Sequence, residues 1–156
     1  MRVYAIMTDL TNVTDAALTR SPRTAPDDLY VRQGAGGAVL SAVRDPACVL
    51  AVWRRAVAGS FADGLDRLPS CDLPTFEAVG RAPEIRAQAH AAITRSCLAA
   101  TALGRWLESD IAGLCCRYAA ITGTHRMHLR LAALEGDACR YFHVDRLSFR
   151  LLCTYR

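Results

Sequence analysis

The sequence predicts an α+β domain in which N-terminal helices pack on an incomplete antiparallel sheet. Two observations point there: apolar residues recur at helical spacing between about 83 and 121, and from Arg126 onward they alternate in strand fashion. Helices first and a run of strands last is the order of an α+β chain, not of an alternating α/β one. At 156 residues, with 52% apolar and 22% charged side chains, the chain is long enough to bury a core and ordinary in composition for a globular protein. No internal repeat is present.

Residues 1–36 read as a poorly ordered arm, and 37–156 as a single domain. Ser21-Pro-Arg-Thr-Ala-Pro26 and Gly34-Ala-Gly-Gly37 both interrupt regular structure. A short strand is expected at Ala38–Val43. Asp45-Pro46 then has the form of a helix start, an acidic N-cap before proline, with Val49, Val52, Trp53, Ala56 and Val57 on one face. Gly59 to about Arg81 reads mostly as loop, punctuated by Gly64, Pro69, Pro74 and Gly80, with a helical turn near Phe61.

A longer helix is expected from about Pro83 to Leu103. Ile85, Ala89, Ile93, Cys97, Ala100 and Leu103 share its face, and Gly104 stands where a C-cap belongs. A third helix, roughly Trp106–Ile121, buries Leu107, Ile111, Leu114, Cys115 and Tyr118 and ends at Gly123. Met127, Leu129 and Leu131 then alternate with His128 and Arg130. Glu135-Gly136-Asp137 makes a turn, and Cys139–Asp145 forms a second strand. A third carries Leu147, Phe149, Leu151, Cys153 and Tyr155 on one side.

Composition excludes several chemistries. The net charge is +4, yet all 19 basic residues are arginine and they are scattered, so a phosphate-binding stripe is not indicated and no nucleic-acid partner is expected. Without lysine there is no phosphate-loop or Schiff-base lysine. No segment has the length and apolarity of a membrane span, and no membrane partner is expected. The seven cysteines include no CxxC pair, and Met1–Met7 is too short an apolar run for a leader; a reduced, cytoplasmic setting is the expectation. There is no Gly-x-Ser-x-Gly elbow and no dinucleotide fingerprint.

The candidate chemistry lies near the C-terminus. His143 and Asp145 are spaced i, i+2 on an expected strand, so they project to one face with Cα atoms about 7 Å apart, close enough to share a divalent ion. Cys139 is four residues from His143, about 13 Å along an extended strand, and is discounted as a ligand. A His-x-Asp pair on a strand of a jelly-roll (double-stranded β-helix) sheet is half of the two-His-one-carboxylate triad that holds non-haem Fe(II). The second histidine would come from His128, His125 or His90, since none follows His143. Zinc held without catalysis, or a histidine simply bonded to its neighbouring carboxylate, fits the same pair. His128 and Arg130 fall on one sheet face. If that face lines a pocket, Arg130 or Arg150 would hold a small acidic metabolite by a bidentate contact; surface arginines on a half-exposed sheet are the alternative.

At these residues the chain resembles an uncharacterised bacterial family, domain of unknown function 1826. The matching pieces are Asp45-Pro46 with Leu50-Ala-Val-Trp-Arg-Arg55, Asp110-Ile-Ala-Gly-Leu114, Leu129-Arg-Leu131, Cys139-Arg-Tyr-Phe-His-Val-Asp145 and Arg150-Leu-Leu-Cys-Thr-Tyr155. In that family the Thr-Tyr pair leads into a Gly-Pro-Gly-Thr turn and further strands, so the resemblance implies a C-terminally truncated member. It implies no established activity. Some members are encoded near zinc-homeostasis GTPases, which implies a metal-homeostasis partner protein.

Overall fold

A computed structural model describes residues 2–9, 29–69, 72–134 and 149–155. The chain divides into two compact units, Val13–Val57 and Met1–Asn12 together with Ala58–Arg156.

The smaller unit holds two parallel strands, β2 (Tyr30–Gly34) and β3 (Cys48–Trp53), joined through a 3-10 helix over Gly37–Arg44. Both differ from the sequence expectation. The apolar residues of 38–43 do not alternate, and the backbone closes i→i−3 bonds such as Val39 N to Gly36 O and Asp45 N to Ala42 O. Asp45 does not open a helix. Its carboxylate accepts from the backbone N–H of Ala47 at 2.9 Å and from the Tyr30 hydroxyl at 2.8 Å, closing a turn. The following Cys-Val-Leu-Ala-Val-Trp run, rich in β-branched side chains, then pairs as a strand.

The larger unit contains β1 (Arg2–Asp9), α1 (Gly59–Asp66), β4 (Phe76–Gly80), α2 (Ala82–Thr94), α3 (Ala102–Thr122), β5 (Met127–Leu134) and β6 (Arg150–Thr154). Its sheet is antiparallel, in the order β4-β5-β1-β6. The class is therefore α+β, but the sheet is not a C-terminal meander. An N-terminal strand is inserted between β5 and β6, and β4 precedes the two longer helices. The arm expected over 1–36 does not hold for Arg2–Asp9, which is a strand with neighbours on both sides, nor for Tyr30–Gly34. Residues 10–28 lie outside the described residues, as do the turn at 135–137 and the expected strand at 139–145.

One side of this sheet meets the helices. Met127, Leu129 and Leu131 of β5, Met7 of β1, Ala78 of β4 and Cys153 of β6 are all buried. Ile85, Ala89 and Ile93 of α2 and Leu107, Ile111, Leu114 and Tyr118 of α3 are buried likewise. Burying each large aliphatic side chain of that kind stabilises by about 1.5–3 kcal/mol. α3 is capped as a sequence reading would have it at its end, with Gly123 left-handed at φ 72°.

The helix expected over 83–103 ends early, at Thr94, and residues 95–101 form a turn before α3. Ser96 Oγ donates to the Ile93 carbonyl at 2.8 Å and accepts from Leu98 N at 3.1 Å, taking over backbone groups the helix ladder would have used. Thr101 then caps α3, accepting from Gly104 N at 3.0 Å. Gly104 is thus in the first turn of a helix, not past the end of one. Among the described residues no helix is long and apolar enough to cross a membrane.

Candidate functional site

The alternation that buries Met127, Leu129 and Leu131 turns His128 and Arg130 to the other side of the sheet. Register extends that side into cross-strand rows. Val79, His128, Thr8 and Arg150 stand in one row over β4, β5, β1 and β6. Glu77 and Arg130 face each other in the next. Arg130, Arg150, Glu77 and Val79 are exposed and His128 is partly so; this is the solvent-facing side.

Glu77 does not reach straight across to Arg130. Its Oε1 lies 2.6 Å from His128 Nε2, a diagonal cross-strand contact that a long side chain spans easily. Thr8 Oγ1 lies 3.5 Å from His128 Nδ1. Three strands thereby contribute to one polar line: a hydroxyl from β1, an imidazole from β5, a carboxylate from β4. A histidine between a hydroxyl and a carboxylate can accept a proton at one nitrogen while the acid fixes the other, the arrangement used in general acid–base chemistry. Thr8 is 8% exposed, whereas the Glu77 side chain is 63% exposed, so the line runs from the sheet interior to solvent.

Of the residues singled out in the sequence, Arg130 and Arg150 lie on this side. His143 and Asp145 lie outside the described residues. His90 is engaged elsewhere, its Nδ1 at 2.9 Å from Glu108 Oε2, with Arg86 Nε 3.6 Å from the same carboxylate. That hydrogen bond from His90, aided by the charges of His90 and Arg86, holds the Glu108 carboxyl below its ordinary range against the opposing effect of burial. His125 borders a surface pocket of about 370 Å³ with Arg81, Pro83, Ala119, Thr124 and Met127. Among the described residues no three His, Cys, Asp or Glu side chains are grouped to hold a metal ion.

Thr8 and Glu77 were not anticipated. Glu77 was within reach of a sequence reading, because Phe76, Ala78 and Gly80 turn inward while Glu77 and Val79 turn outward, a five-residue alternation. The prolines and glycines around it disguised the strand as loop. Nothing local to Thr8 signals that it will meet a histidine 120 positions away.

A family described as protein of unknown function (DUF1826) matches residues 34–156. No curated protein and no solved structure matches the chain.

Proposed function

The chain belongs to the DUF1826 family, and we propose that it is a metal-binding domain holding a divalent cation, Fe(II) or zinc, through His143 and Asp145, with Arg130 and Arg150 retaining a small acidic molecule beside it. One observation carries the reading. Arg130 and Arg150 share the solvent-facing side of the sheet, and the segment bearing His143 and Asp145 joins the two strands, β5 and β6, that supply them. Imidazole and carboxylate donors suit Fe(II) and zinc alike. With Fe(II) the domain would be oxygenase-like, on a sheet extended toward a jelly roll; with zinc it would serve metal homeostasis without catalysis. Arginine's planar fork suits a carboxylate as the acidic partner.

The test is metal uptake by the full chain, measured by equilibrium dialysis against Fe(II) and zinc separately. Near-stoichiometric binding that falls at least tenfold in His143→Ala and in Asp145→Ala is the expected result. No uptake, or uptake indifferent to both substitutions, refutes the proposal.

A second reading is favoured by the other histidines. His90 pairs with Glu108 and His128 with Glu77, each a structural imidazole–carboxylate contact. His143 and Asp145 would then satisfy one another, and the double alanine variant would lose stability without any change in metal content.

A further inference from the structure

Among the described residues four strands stand at sheet edges, β2 and β3 in the smaller unit and β4 and β6 in the larger. Arg32 sits in the middle of β2, Glu77 in β4 and Arg150 at the start of β6. A charged side chain on an edge discourages another chain from pairing there, because pairing would take the charge out of water. β3 differs from the other three. Its sequence, Cys-Val-Leu-Ala-Val-Trp, contains no charge and no proline, and Val49 and Leu50 are 59% and 53% exposed. Among the described residues it pairs with β2 alone, in parallel. Parallel strands normally lie inside larger, covered sheets, and independent sheet stability usually takes three strands or more. The ladder groups on the far side of β3 are thus a template for a further strand.

We propose that the open edge of β3 is a homodimer interface, at which β3 of a second copy pairs antiparallel about a two-fold axis near Leu50. The two smaller units then share one sheet in the order β2-β3-β3-β2. A second copy fits because β3 is self-complementary when reversed, as a two-fold interface requires. Its apolar run meets itself, with Leu50 of each copy at the centre. Its ends differ in charge. Asp45 stands in the turn that leads into the strand, and Arg54 and Arg55 follow it. Arg54 is held at that end by Gln33 Oε1, to which its Nε and Nη2 donate at 3.1 and 2.6 Å. Reversal carries the two arginines of each copy to the Asp45 end of the other, at both ends of the interface. Even with Arg44 counted beside Asp45, a doubly positive end meets a neutral one, whereas parallel pairing would set arginine against arginine. An edge of six residues makes a small interface, so the dimer is weak and depends on concentration. The interface lies in the smaller unit and is independent of the metal reading of His143 and Asp145.

The experiment is analytical ultracentrifugation of the full chain from low micromolar to near-millimolar concentration, under reducing conditions so that its seven cysteines form no disulfide between copies. A reversible monomer–dimer equilibrium is expected, weakening as salt is added. Leu50→Lys and Leu50→Glu should each weaken it about tenfold or more, because each sets like charges against one another at the two-fold axis. Mixing the two variants should restore a dimer, since Lys then faces Glu, and that recovery also shows that both variants fold. Leu152→Lys, at a position 58% exposed on the edge strand β6, should leave the equilibrium unchanged. A monomer at every concentration overturns the proposal, and one that instead binds an unrelated apolar strand peptide gives the edge to a foreign partner. A dimer that survives Leu50→Lys overturns it equally, as does a Lys–Glu mixture that stays monomeric, a dimer lost in Leu152→Lys, or assembly that runs on past two copies.

Discussion

The hydroxyl of Tyr155 donates a hydrogen bond to the carboxylate of Asp110 at 2.7 Å, tying the residue after β6 to the middle of α3. The ring is buried and meets Trp106 edge-on at 5.8 Å, and Trp106 in turn stacks on Phe61 at 4.9 Å. Both partners of the hydrogen bond fall within the family match, 45 positions apart. Tyr155→Phe keeps the ring and removes only the donor. It should cost about 1 kcal/mol in urea unfolding, with a comparable coupling energy in a cycle with Asp110→Ala. Additive single effects would mean that the contact contributes nothing to stability.

Gly104 is needed for a close approach rather than for a turn. A Cβ there would collide with the carbonyl oxygen of Leu98 and stand 3.1 Å from Ile93 Cγ2. The backbone atom cannot be moved aside as a flexible side chain could. Gly104→Ala should therefore destabilise by about 1–3 kcal/mol although alanine is the better helix former. A thermal melt at or above the parent's would contradict the packing of the 95–101 turn against α3.

The same turn holds Ala100 at φ 58°, in the left-handed region that favours glycine. Ala100→Gly relieves that conformation while loosening the unfolded chain. The net expectation is a gain of up to about 1 kcal/mol, read as a higher urea midpoint at unchanged slope.

Glu108 gives the chain an acid-sensitive contact. Its folded carboxyl titrates below the ordinary 4.5, chiefly through the hydrogen bond from His90. A depressed carboxyl favours folding above its unfolded value, and the contribution is lost as pH falls through the folded one. Stability measured from pH 6 down to 3 should decline less steeply in Glu108→Gln than in the parent, with the two curves converging at the acid end. Parallel curves would remove Glu108 from the account.

Cysteine accessibility separates the thiols. Cys115 is buried in the core, which, with the neighbouring Cys116, pushes its thiol up to about 12, so it carries almost no thiolate at neutral pH. Cys97 and Cys116 are exposed, and Cys48 and Cys153 are buried. Brief alkylation of the native chain at pH 8, mapped by mass spectrometry, should mark Cys97 and Cys116 and spare Cys48, Cys115 and Cys153 until denaturant is added. Early marking of Cys115 would contradict the burial of α3 against the sheet.

Elements whose signal is local can be read from the chain directly. Gly123 stops α3 because a left-handed residue ends a helix, and Met127, Leu129 and Leu131 face the core because strand side chains alternate. From the same alternation came the placing of His128 beside Arg130. Where local signals competed, long-range pairing and packing settled the outcome. Asp45-Pro46 serves a helix start or a turn equally well, and it is the pairing of β3 with β2 that selects the turn. Ser96 and Thr101 replace the last turns of the helix expected to reach Leu103 by a turn, through hydrogen bonds that periodicity does not encode. β1 and β4 became strands because β5 pairs with both, and a ladder's hydrogen bonds lie between segments far apart in the chain. Thr8 and Glu77 meet His128 for that reason alone: a hydroxyl, an imidazole and a carboxylate from three strands become neighbours only when sheet order and register are set.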